Sequence, residues 1–450
     1  MIVWLHRLAS LPLARRVFSS LFANAVRVIL QVGTGLILAR SLGAADLGIY
    51  SWALAISALM VIPAQFGTST LLMKEGARAT SQSDPALLKS LWIWALKTTA
   101  VATFVSIALL LALVYFTQGT WSSLDWPVFL IAVALIPFAA IINLGESALL
   151  GTGHTSAGLF AGYYLRPLAF IAVVISIWAW TSGLDPFSAM LAQLLAHVLA
   201  SLVVIAQILR IHAETVAADA SVPEDTSDWR KTSRAFLLIS GQWTVLAQMD
   251  ILILGAIAPP TQVGLYRVAF LVAGFIAIGA LAMRGIFNER LAAAWVEQDM
   301  TAFRTRAALG CVVAAAVGLP LAAAYGLFGS QILDFVFGPE FAEAYWILAI
   351  LSVGQVSLLM IGSATNALVM TGHEKVVSRL TTLSVLVNLA LNLTLIPIFG
   401  GIGAAAATSS ALAFQSAQIW FQAKRKLGID MSFFASLIPV ANMVEKRLRH

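Results

Sequence analysis

Apolar residues dominate twelve stretches of the chain, and each stretch is about as long as a bilayer-crossing helix. A spanning helix needs about 20 apolar residues, because backbone polar groups must be hydrogen-bonded within the segment where water is absent. The pattern therefore predicts an all-α polytopic membrane protein with twelve transmembrane helices. The predicted windows are residues 18–40, 49–73, 91–116, 126–150, 158–181, 188–209, 235–257, 264–283, 304–329, 344–370, 378–398 and 402–423.

The overall composition supports a membrane protein. Hydrophobic residues make up 60% of the chain and charged residues only 11%, with a mean hydropathy of +0.90. Soluble domains contain about 45–50% apolar and about 25% charged residues. A water-soluble fold cannot bury so much apolar surface, so the composition excludes a soluble globular domain.

Lysine and arginine residues concentrate in alternate loops. Because such residues in short loops mark the cytoplasmic side, both termini are predicted to lie in the cytoplasm. The net charge of +6 is therefore a signal of topology, and nucleic acid is not an expected partner. The opposite set of loops carries Arg40 alongside Asp46, Asp125, Asp185, Asp334, Glu340 and Glu343.

The chain contains an internal repeat. Residues in the first half of the chain match residues at equivalent positions in the second half, and this similarity predicts a duplicated six-helix unit. Each unit has an even number of spans, and the two bundles are therefore related by a pseudosymmetry axis along the membrane normal. At a shift of 216 residues the matching pairs are Leu38 and Leu254, Gly48 and Gly264, Tyr50 and Tyr266, and Ala53 and Ala269; at a shift of 219, residues 152–154 match 371–373.

The repeat predicts four parts of the chain. Residues 1–209 and 235–423 form the two bundles, and the polar stretch 210–234 between them is a cytoplasmic linker. Residues 424–450 form a basic cytoplasmic tail, in which 431–449 has the pattern of an interfacial helix on anionic membrane lipids. Transporters built from two such halves usually bind substrate between them and expose it to each side in turn.

Six ionisable residues are predicted at membrane depth, where each costs about 2.5–3.5 kcal/mol on insertion scales. Such residues normally face a wet cavity or a partner. Four are cations and two are anions, so the predicted lumen is electropositive. They are Arg27, Lys97, Glu146, Arg166, Asp250 and Arg267.

Polar side chains also line single helix faces inside the predicted spans. The first window repeats polar residues at spacings of three and four, and the seventh and eleventh windows have similar rows. Guanidinium groups suit diphosphate oxygens, and amide and hydroxyl groups suit sugar hydroxyls. The predicted substrate-binding residues are Asn24, Arg27, Gln31, Tyr163, Arg166, Gln248, Arg267 and Asn388.

Other interpretations of these residues stay open. Rows of small polar residues in membrane helices also serve as hydrogen-bonded packing between helices, which applies to the row around Asn388. Arg27 alternatively pairs with Asp250. No cofactor or metal is expected, because His154 and His373 are isolated histidines in turns. Asp250 is the candidate residue for coupling transport to H⁺ or Na⁺.

The segment 22–77 resembles the start of the Wzx-type oligosaccharide flippases, the polysaccharide transporter branch of the multidrug/oligosaccharidyl-lipid/polysaccharide (MOP) superfamily. The most specific piece is the Leu-Gly-x-x-x-Leu-Gly-x-Tyr turn from Leu42 to Tyr50. The Gly-x-Gly-His turn after the fourth window and its copy after the tenth are similar to the same family. The segment around Asp250 resembles the family's Asp-containing stretch, although Ile251 and Leu252 follow where a basic residue is common.

This resemblance implies a MATE-like fold and export of undecaprenyl-diphosphate-linked oligosaccharide by alternating access. The direction would be from the cytoplasmic to the periplasmic leaflet of a bacterial inner membrane. The glycan would serve surface polysaccharides such as lipopolysaccharide O-antigen or exopolysaccharide. The implied partners are the lipid-linked oligosaccharide, membrane lipids and the polysaccharide polymerase or chain-length machinery.

Two rival functions can be weighed from the residues. A cation-coupled drug or metabolite antiporter of the related MATE branch would need an acidic cavity, whereas the predicted lumen has four cations and two anions. A membrane enzyme such as a glycan polymerase would need acid and base groups on a sizeable outer loop. The predicted outer loops have about a dozen residues or fewer, in the usual range of short connections, so a transporter without enzymatic activity is favoured.

Overall fold

The computed structural model describes residues 12–116, 125–181, 183–213, 215, 219, 226–278, 290–437 and 439, without the side chains of 12–25, 27, 28, 238–240 and 243. Every regular element in these ranges is helical, which confirms the all-α prediction. Nine helices of the described chain are long and apolar enough to cross a membrane. The protein is therefore a multi-pass membrane protein, and the count of twelve spans stays a prediction.

The helices follow the predicted windows closely. Residues Ala161–Leu165 form a π-helical turn between α5 and α6, and residues Gly274–Ala277 and Pro339–Ala344 form 3₁₀ turns. The α-helices are α1 (Pro12–Gln65), α2 (Thr68–Ser81), α3 (Pro85–Phe116), α4 (Trp126–Gly151), α5 (Thr155–Phe160), α6 (Arg166–Thr181), α7 (Pro186–Ile211), α8 (Ser227–Ile257), α9 (Pro260–Ala273), α10 (Met300–Phe337), α11 (Tyr345–Met360), α12 (Ala364–Met370) and α13 (Glu374–Leu427).

Two of these helices, α1 and α13, have 54 residues each and contain an internal break. The break in α1 is at Gly43, with φ 74°, and that in α13 is at Gly400, with φ 56°. Glycine adopts this left-handed region without the steric cost that a Cβ imposes. Helix α13 therefore covers two predicted windows, 378–398 and 402–423, one on either side of Gly400. Helix α1 covers window 18–40 before Gly43 and window 49–73 as far as Gln65, and the rest of that window continues into α2.

Aspartates at loop ends begin several helices. The carboxylate of Asp125 accepts a hydrogen bond from Val128 N at the start of α4 (3.2 Å). Asp185 accepts one from Ser188 N at the start of α7 (3.1 Å), and Asp299 is bonded to the start of α10 in the same way. These N-caps satisfy backbone N–H groups that lack a partner within the helix. The acidic loop residues thus have a structural role as helix caps.

The chain forms two compact units: residues 33–264, and residues 1–32 together with 265–450. The first unit includes α8, because Trp52 Nε1 donates to Leu252 O (3.1 Å) and the Ser233 hydroxyl donates to Phe66 O (2.5 Å). These units begin and end at other residues than the two predicted bundles. The division into six-helix bundles stays a prediction.

The core of the unit 33–264 depends on glycine at close helix contacts. A Cβ at Gly145 in α4 would lie 2.9 Å from a methyl group of Val204 in α7. A Cβ at Gly151 would lie 2.8 Å from the carbonyl oxygen of Leu72 in α2. Small residues at such contacts let membrane helices approach closely, which compensates for the weak hydrophobic driving force in lipid.

The core of the second unit is a cluster of buried side chains, most of them on α10, α12 and α13 and on the residues that follow α13. Phe303, Ala364 and Ala423 are fully buried there, and Met431 beyond the end of α13 packs into the same cluster. Residues 433–437 are helical, with Phe434 exposed. The start of the predicted interfacial segment is therefore packed on its own unit, and its attachment to lipid stays a prediction.

The two Thr-Gly-His turns found by the repeat have the same conformation. Gly153 has φ 84° and Gly372 has φ 81°. In each turn the threonine hydroxyl lies close to Nδ1 of the following histidine, at 3.2 Å for Thr152 and 3.1 Å for Thr371. The backbone hydrogen bonds also match residue by residue at a shift of 219. This agreement in local structure fits the predicted duplication.

Candidate functional site

A cavity of about 320 Å³ lies within the unit formed by residues 33–264. Helices α1, α4, α6, α7 and α8 all contribute to its wall. Its volume is at the lower end of the range for small-molecule sites, about 300–1,000 Å³. Half of its lining residues are polar, namely Ser57, Gln65, Asn143, Arg166, Gln193, His197, Thr244 and Gln248.

The local backbone positions Arg166 at the cavity wall. The π-helical turn Ala161–Leu165 directly precedes this arginine, and Pro167 follows it. Such π turns inside helices are frequent at functional sites. The side chain of Glu146 in α4 lies beside this turn, since a Cβ built at Gly162 would be in ordinary van der Waals contact with its Oε2, at 3.5 Å. The turn therefore brings a carboxyl group and a guanidinium group into one region.

Arg166 is joined to α7 through His197. Its Nη1 donates to Nε2 of His197 (3.4 Å), and Nδ1 of the same ring donates to the carbonyl oxygen of Gln193 (2.7 Å). Arg166 also interacts electrostatically with Glu146 and Tyr163. A guanidinium group has five donors, so these contacts leave it able to bind a further acceptor.

The electrostatic character of the cavity follows from its lining. Among the described residues that line it, Arg166 is the only one with a permanent charge, and none is a carboxylate. The other polar groups are hydroxyls, carboxamides and one imidazole. The cavity can therefore offer a cation to one part of a guest and neutral hydrogen-bonding groups to another part.

The end of α1 forms one boundary of the cavity. Phe66 and Gly67 both have positive φ, 49° and 71°, and break the helix there. A Cβ at Gly67 would lie 2.1 Å from Ser233 O, so only glycine permits this approach of α8. Beside this break, Nε2 of Gln65 is buried without a hydrogen-bond partner in the described part of the chain.

An unpartnered donor of this kind costs stability, about 1–3 kcal/mol for a fully desolvated group. A guest with hydroxyl or carbonyl oxygens could satisfy Gln65. The buried Gln65 amide therefore lowers stability while it lacks a partner, and a hydrogen bond to a guest oxygen would remove that cost.

The predicted substrate-binding residues fall in different places. Arg166 and Gln248 line the cavity, as predicted for a binding site. Tyr163 lies one turn before Arg166 and is half-buried. Asn24 and Arg27 lie in α1, but their side chains lie outside the description. Binding of substrate by these residues stays a prediction.

The remaining candidates belong to the other unit, except Asp250. Gln31 is exposed and Arg267 is half-buried there. Asp250 lies in α8 with 1% of its surface exposed and is not among the residues that line the cavity. The role of Asp250 in ion coupling stays a prediction, as do the roles of Gln31 and Arg267.

Asn388 belongs to a buried hydrogen-bonded row within α13. It is 0% exposed, its Nδ2 donates to Oγ1 of Thr408 (3.2 Å), and its Oδ1 accepts from Nδ2 of Asn392 (3.1 Å). A third bond joins Gln415 Nε2 to Thr381 Oγ1 (3.0 Å). The Asn388–Thr408 and Gln415–Thr381 bonds link the two arms of α13 on either side of Gly400, and the Asn388–Asn392 bond lies within the first arm. The two bonds between the arms fit the alternative interpretation of this row as packing between helices.

Several cavity residues were missed in the sequence. Gln193 and His197 lie four residues apart on one face of α7, and His197 is an ionisable residue inside a predicted span. That spacing was a usable signal, because intramembrane histidines are rare and functional. Gln65 and Asn143 had no such signal, since each is a single polar residue near a helix end or in an apolar run.

Two histidines outside the cavity, His154 and His212, form a small cluster at the Thr152 turn. The rings of His154 and His212 are 4.9 Å apart edge to face, and Thr152 Oγ1 is 2.9 Å from Nε2 of His212. Burial, followed by the positive charge of His154, lowers the pKa of His212 below its ordinary value of 6.5. In the described chain no three His, Cys, Asp or Glu residues are grouped as metal ligands.

Comparison with protein families gives a match over most of the chain. A family described as "Polysaccharide biosynthesis protein" matches residues 13–285. This range includes the segment 22–77, on which the resemblance to the Wzx-type flippases rests. A curated relative, the "Probable low-salt glycan biosynthesis flippase Agl15" of Haloferax volcanii, is 29% identical over 170 residues. That match covers 37% of this chain and 35% of the relative, about a third of its length.

Solved structures of similar fold come from several transporter families. An inward-facing multidrug resistance MATE transporter of the MOP superfamily has a TM-score of 0.69 at 16% identity, covering 89% of this chain and 94% of that one. The lipid II flippase MurJ, in an inward closed conformation, has a TM-score of 0.67 at 14% identity and covers 95% and 92%. At these identities the likeness shows the fold, which is MATE-like and MurJ-like.

A third similar structure is a MOP superfamily transporter from Pyrococcus furiosus, whose binding pocket is described as having reversed polarity. Its TM-score is 0.60 at 14% identity, and the match covers 92% of this chain and 94% of that one. One fold thus carries pockets of different polarity. The chemistry of the pocket in this chain has to be argued from its own residues.

Proposed function

Because this chain belongs to the polysaccharide biosynthesis protein family, we propose that it is a flippase that moves a lipid-linked glycan across a membrane. The observation that carries the proposal is the cavity of residues 33–264, where Arg166 stands among carboxamide and hydroxyl side chains. MurJ is a lipid II flippase, and Agl15 is a probable flippase of low-salt glycan biosynthesis. The transported molecule proposed here is of the same chemical class.

The lining matches the two polar parts of such a substrate. A guanidinium group donates parallel hydrogen bonds to phosphate oxygens, and it keeps its charge at every physiological pH. Asn143, Gln193 and Gln248 offer both donors and acceptors, as sugar hydroxyl groups require. Arg166 would hold the diphosphate, and the carboxamides would hold the first sugar.

The finer assignment is an undecaprenyl-diphosphate-linked oligosaccharide, exported from the cytoplasmic to the periplasmic leaflet of a bacterial inner membrane for surface polysaccharide synthesis. Sugar and diphosphate cross inside the protein, because charged and polar groups are costly in hydrocarbon. The polyprenyl chain stays in lipid. Alternating access of the polar cavity to the two sides moves the headgroup, and no covalent bond is formed or broken.

Coupling to H⁺ or Na⁺ at Asp250 is a separate part of the proposal. Asp250 is buried within α8, two residues after Gln248 of the cavity. A drug antiporter is the less favoured function, because the described lining offers a cation and no carboxylate to a cationic drug. Transport of Asp250→Asn with and without an imposed ion gradient tests the coupling; an unchanged dependence on the gradient would remove Asp250 from that role.

Transport in proteoliposomes tests the main proposal. The probe is a fluorescent farnesyl-diphosphate-linked N-acetylglucosamine, and its arrival in the opposite leaflet is measured by quenching. Arg166→Gln should lower the transport rate about 10- to 100-fold, since hydrogen bonds to charged groups contribute about 1.5–3 kcal/mol. Arg230→Gln, an exposed arginine at the start of α8, is the matched control and should transport at the wild-type rate.

Two results would contradict the proposal. One is a rate for Arg166→Gln equal to that of wild type and Arg230→Gln. The other is no transport of the probe by the wild-type protein above the rate in empty liposomes.

A further inference from the structure

His197 has both ring nitrogens engaged by groups of opposite hydrogen-bonding type. The ring is 4% exposed and lines the cavity. Nδ1 lies 2.7 Å from the carbonyl oxygen of Gln193, and Nε2 lies 3.4 Å from Nη1 of Arg166. A carbonyl can only accept and a guanidinium can only donate, so Nδ1 carries the hydrogen and Nε2 accepts. In this arrangement the imidazole is neutral.

A proton added to this ring has only Nε2 to bind. The resulting N–H would point at the guanidinium of Arg166, which has no lone pair to accept it. Two positive charges would also face each other at hydrogen-bond distance in a site of low dielectric constant. Protonation therefore breaks the contact between His197 and Arg166 unless an acceptor with negative charge enters between them.

We propose that His197 is a proton-binding site coupled to anion binding at Arg166, so that a proton and the anionic headgroup bind the cavity cooperatively. The proposal rests on the proposed function for the identity of the anion, a diphosphate diester. When the headgroup enters, the imidazolium and the guanidinium both donate to its phosphate oxygens. By linkage, each ligand raises the affinity for the other by the same factor.

Titratable groups on three neighbouring elements interact with Arg166. Arg166 interacts electrostatically with Tyr50 of α1, with Tyr163 of the π turn and with Glu146 of α4. Among the described residues of α8, the polar ones that line the cavity are Thr244 and Gln248, and both are uncharged.

Charge balance favours the linkage. With a neutral His197, the carboxyl group of Glu146 and the guanidinium of Arg166 are of opposite charge and can balance. A protonated His197 adds one positive charge that no described lining residue offsets. An anion in the cavity would offset it.

The coupling can be measured by equilibrium binding to the purified full-length protein in detergent. The probe is farnesyl-diphosphate-linked N-acetylglucosamine, whose diphosphate diester does not change its ionisation between about pH 5 and 8, the range in which histidine titrates. Wild-type affinity should rise as the pH falls, by at most about tenfold per pH unit for one linked proton. Calorimetry in two buffers of different ionisation enthalpy should show proton uptake on binding.

Two variants test whether His197 causes this pH dependence of the affinity. His197→Gln keeps a hydrogen-bonding side chain but cannot titrate, so its affinity should be independent of pH and its proton uptake should vanish. His154→Gln is the matched control, because His154 lies in the Thr152 turn outside the cavity lining, and it should keep the wild-type slope. His197→Asn serves the same purpose if His197→Gln does not fold, and the proton uptake of the wild type needs no variant.

Any other outcome of these binding measurements would contradict the coupling between proton binding and headgroup binding. A wild-type affinity that is flat or falls as the pH drops, or an equal slope in His197→Gln, removes His197 from the role while the proposed function stands. Absence of probe binding by the wild type at every pH removes the proposed function and the coupling with it.

Discussion

Gly48 and Gly264 occupy equivalent positions of the repeat, and each lies against the backbone of the other's segment. A Cβ at Gly48 would lie 1.8 Å from Pro260 O, and a Cβ at Gly264 would lie 1.9 Å from Ala44 O. Ala44 and Pro260 are themselves equivalent at the same shift of 216 residues. The two contacts are therefore copies of one contact, and both require glycine because backbone atoms occupy the space of a side chain.

Substitution of either glycine should separate the two segments. Overpacking usually costs about 1–3 kcal/mol. We expect Gly48→Ala and Gly264→Ala each to lower the free energy of unfolding by at least that amount, because the obstructing atoms are backbone atoms. The double variant should lose less than the sum of the single losses, because one substitution already separates the shared surface. Thermal unfolding in detergent, followed by tryptophan fluorescence, measures all three.

Gly33 is the control for this series. Nothing lies within 4 Å of a Cβ at Gly33, so Gly33→Ala should be neutral or stabilising. Equal melting temperatures for Gly33→Ala and Gly48→Ala would show that the contact between the segments does not matter for stability.

The fold was largely predictable from the sequence because helix location in a membrane depends on local apolar length. The twelve windows fall on helical residues wherever the structure describes them, apart from turns such as Phe66–Gly67. The resemblance drawn from Leu42–Tyr50 is confirmed by the family match. Asp125 as a helix cap was not anticipated, since a cap and an ordinary loop acid look alike in sequence.

The site was less predictable because it depends on tertiary contacts. Arg166 was found from its charge at membrane depth, but its partner His197 lies 31 residues away on another helix. Gln65 is recognisable only once its amide is seen to be buried without a partner. Intramembrane charge therefore located the region of the cavity, while the neutral groups of its wall required the structure.

The bond between Asn388 and Thr408 gives a test of the two interpretations of its polar row. If this row is packing between helix arms, Asn388→Val and Thr408→Val should each reduce the unfolding midpoint and should be coupled by about 0.6–1.7 kcal/mol in a double-mutant cycle. Binding of the glycan probe by the folded variants should be unchanged. Wild-type stability with a weakened affinity for the probe would instead favour a substrate-binding role for Asn388.

The His154 and His212 pair predicts a pH dependence of stability. Burial and the charge of His154 lower the pKa of native His212, so the unfolded chain binds this proton more readily. Stability is therefore unaffected by this group above pH 6.5, and it falls as the pH drops from 6.5 toward the lowered native value. His212→Gln should flatten that part of a plot of unfolding midpoint against pH.

His373→Gln is the control for this pH dependence, because His373 occupies the equivalent turn of the repeat in the other unit. That variant should keep the wild-type slope below pH 6.5. An unchanged slope in His212→Gln would assign the acid sensitivity to other groups.

Gln65 should show opposite effects on stability and on recognition. Its Nε2 is buried without a partner in the described structure, so Gln65→Met, which is similar in shape and apolar, should leave stability equal or raise it by about 1 kcal/mol. If the amide meets a sugar oxygen, the variant should bind the glycan probe more weakly, while its affinity for farnesyl diphosphate without the sugar stays the same. Ser57→Ala is the contrasting variant, because that hydroxyl already donates to a backbone carbonyl, 2.5 Å from Ala132 O, and should cost stability without changing the preference for the sugar. Equal losses of affinity for both probes in Gln65→Met would mean that Gln65 shapes the cavity without contacting the glycan.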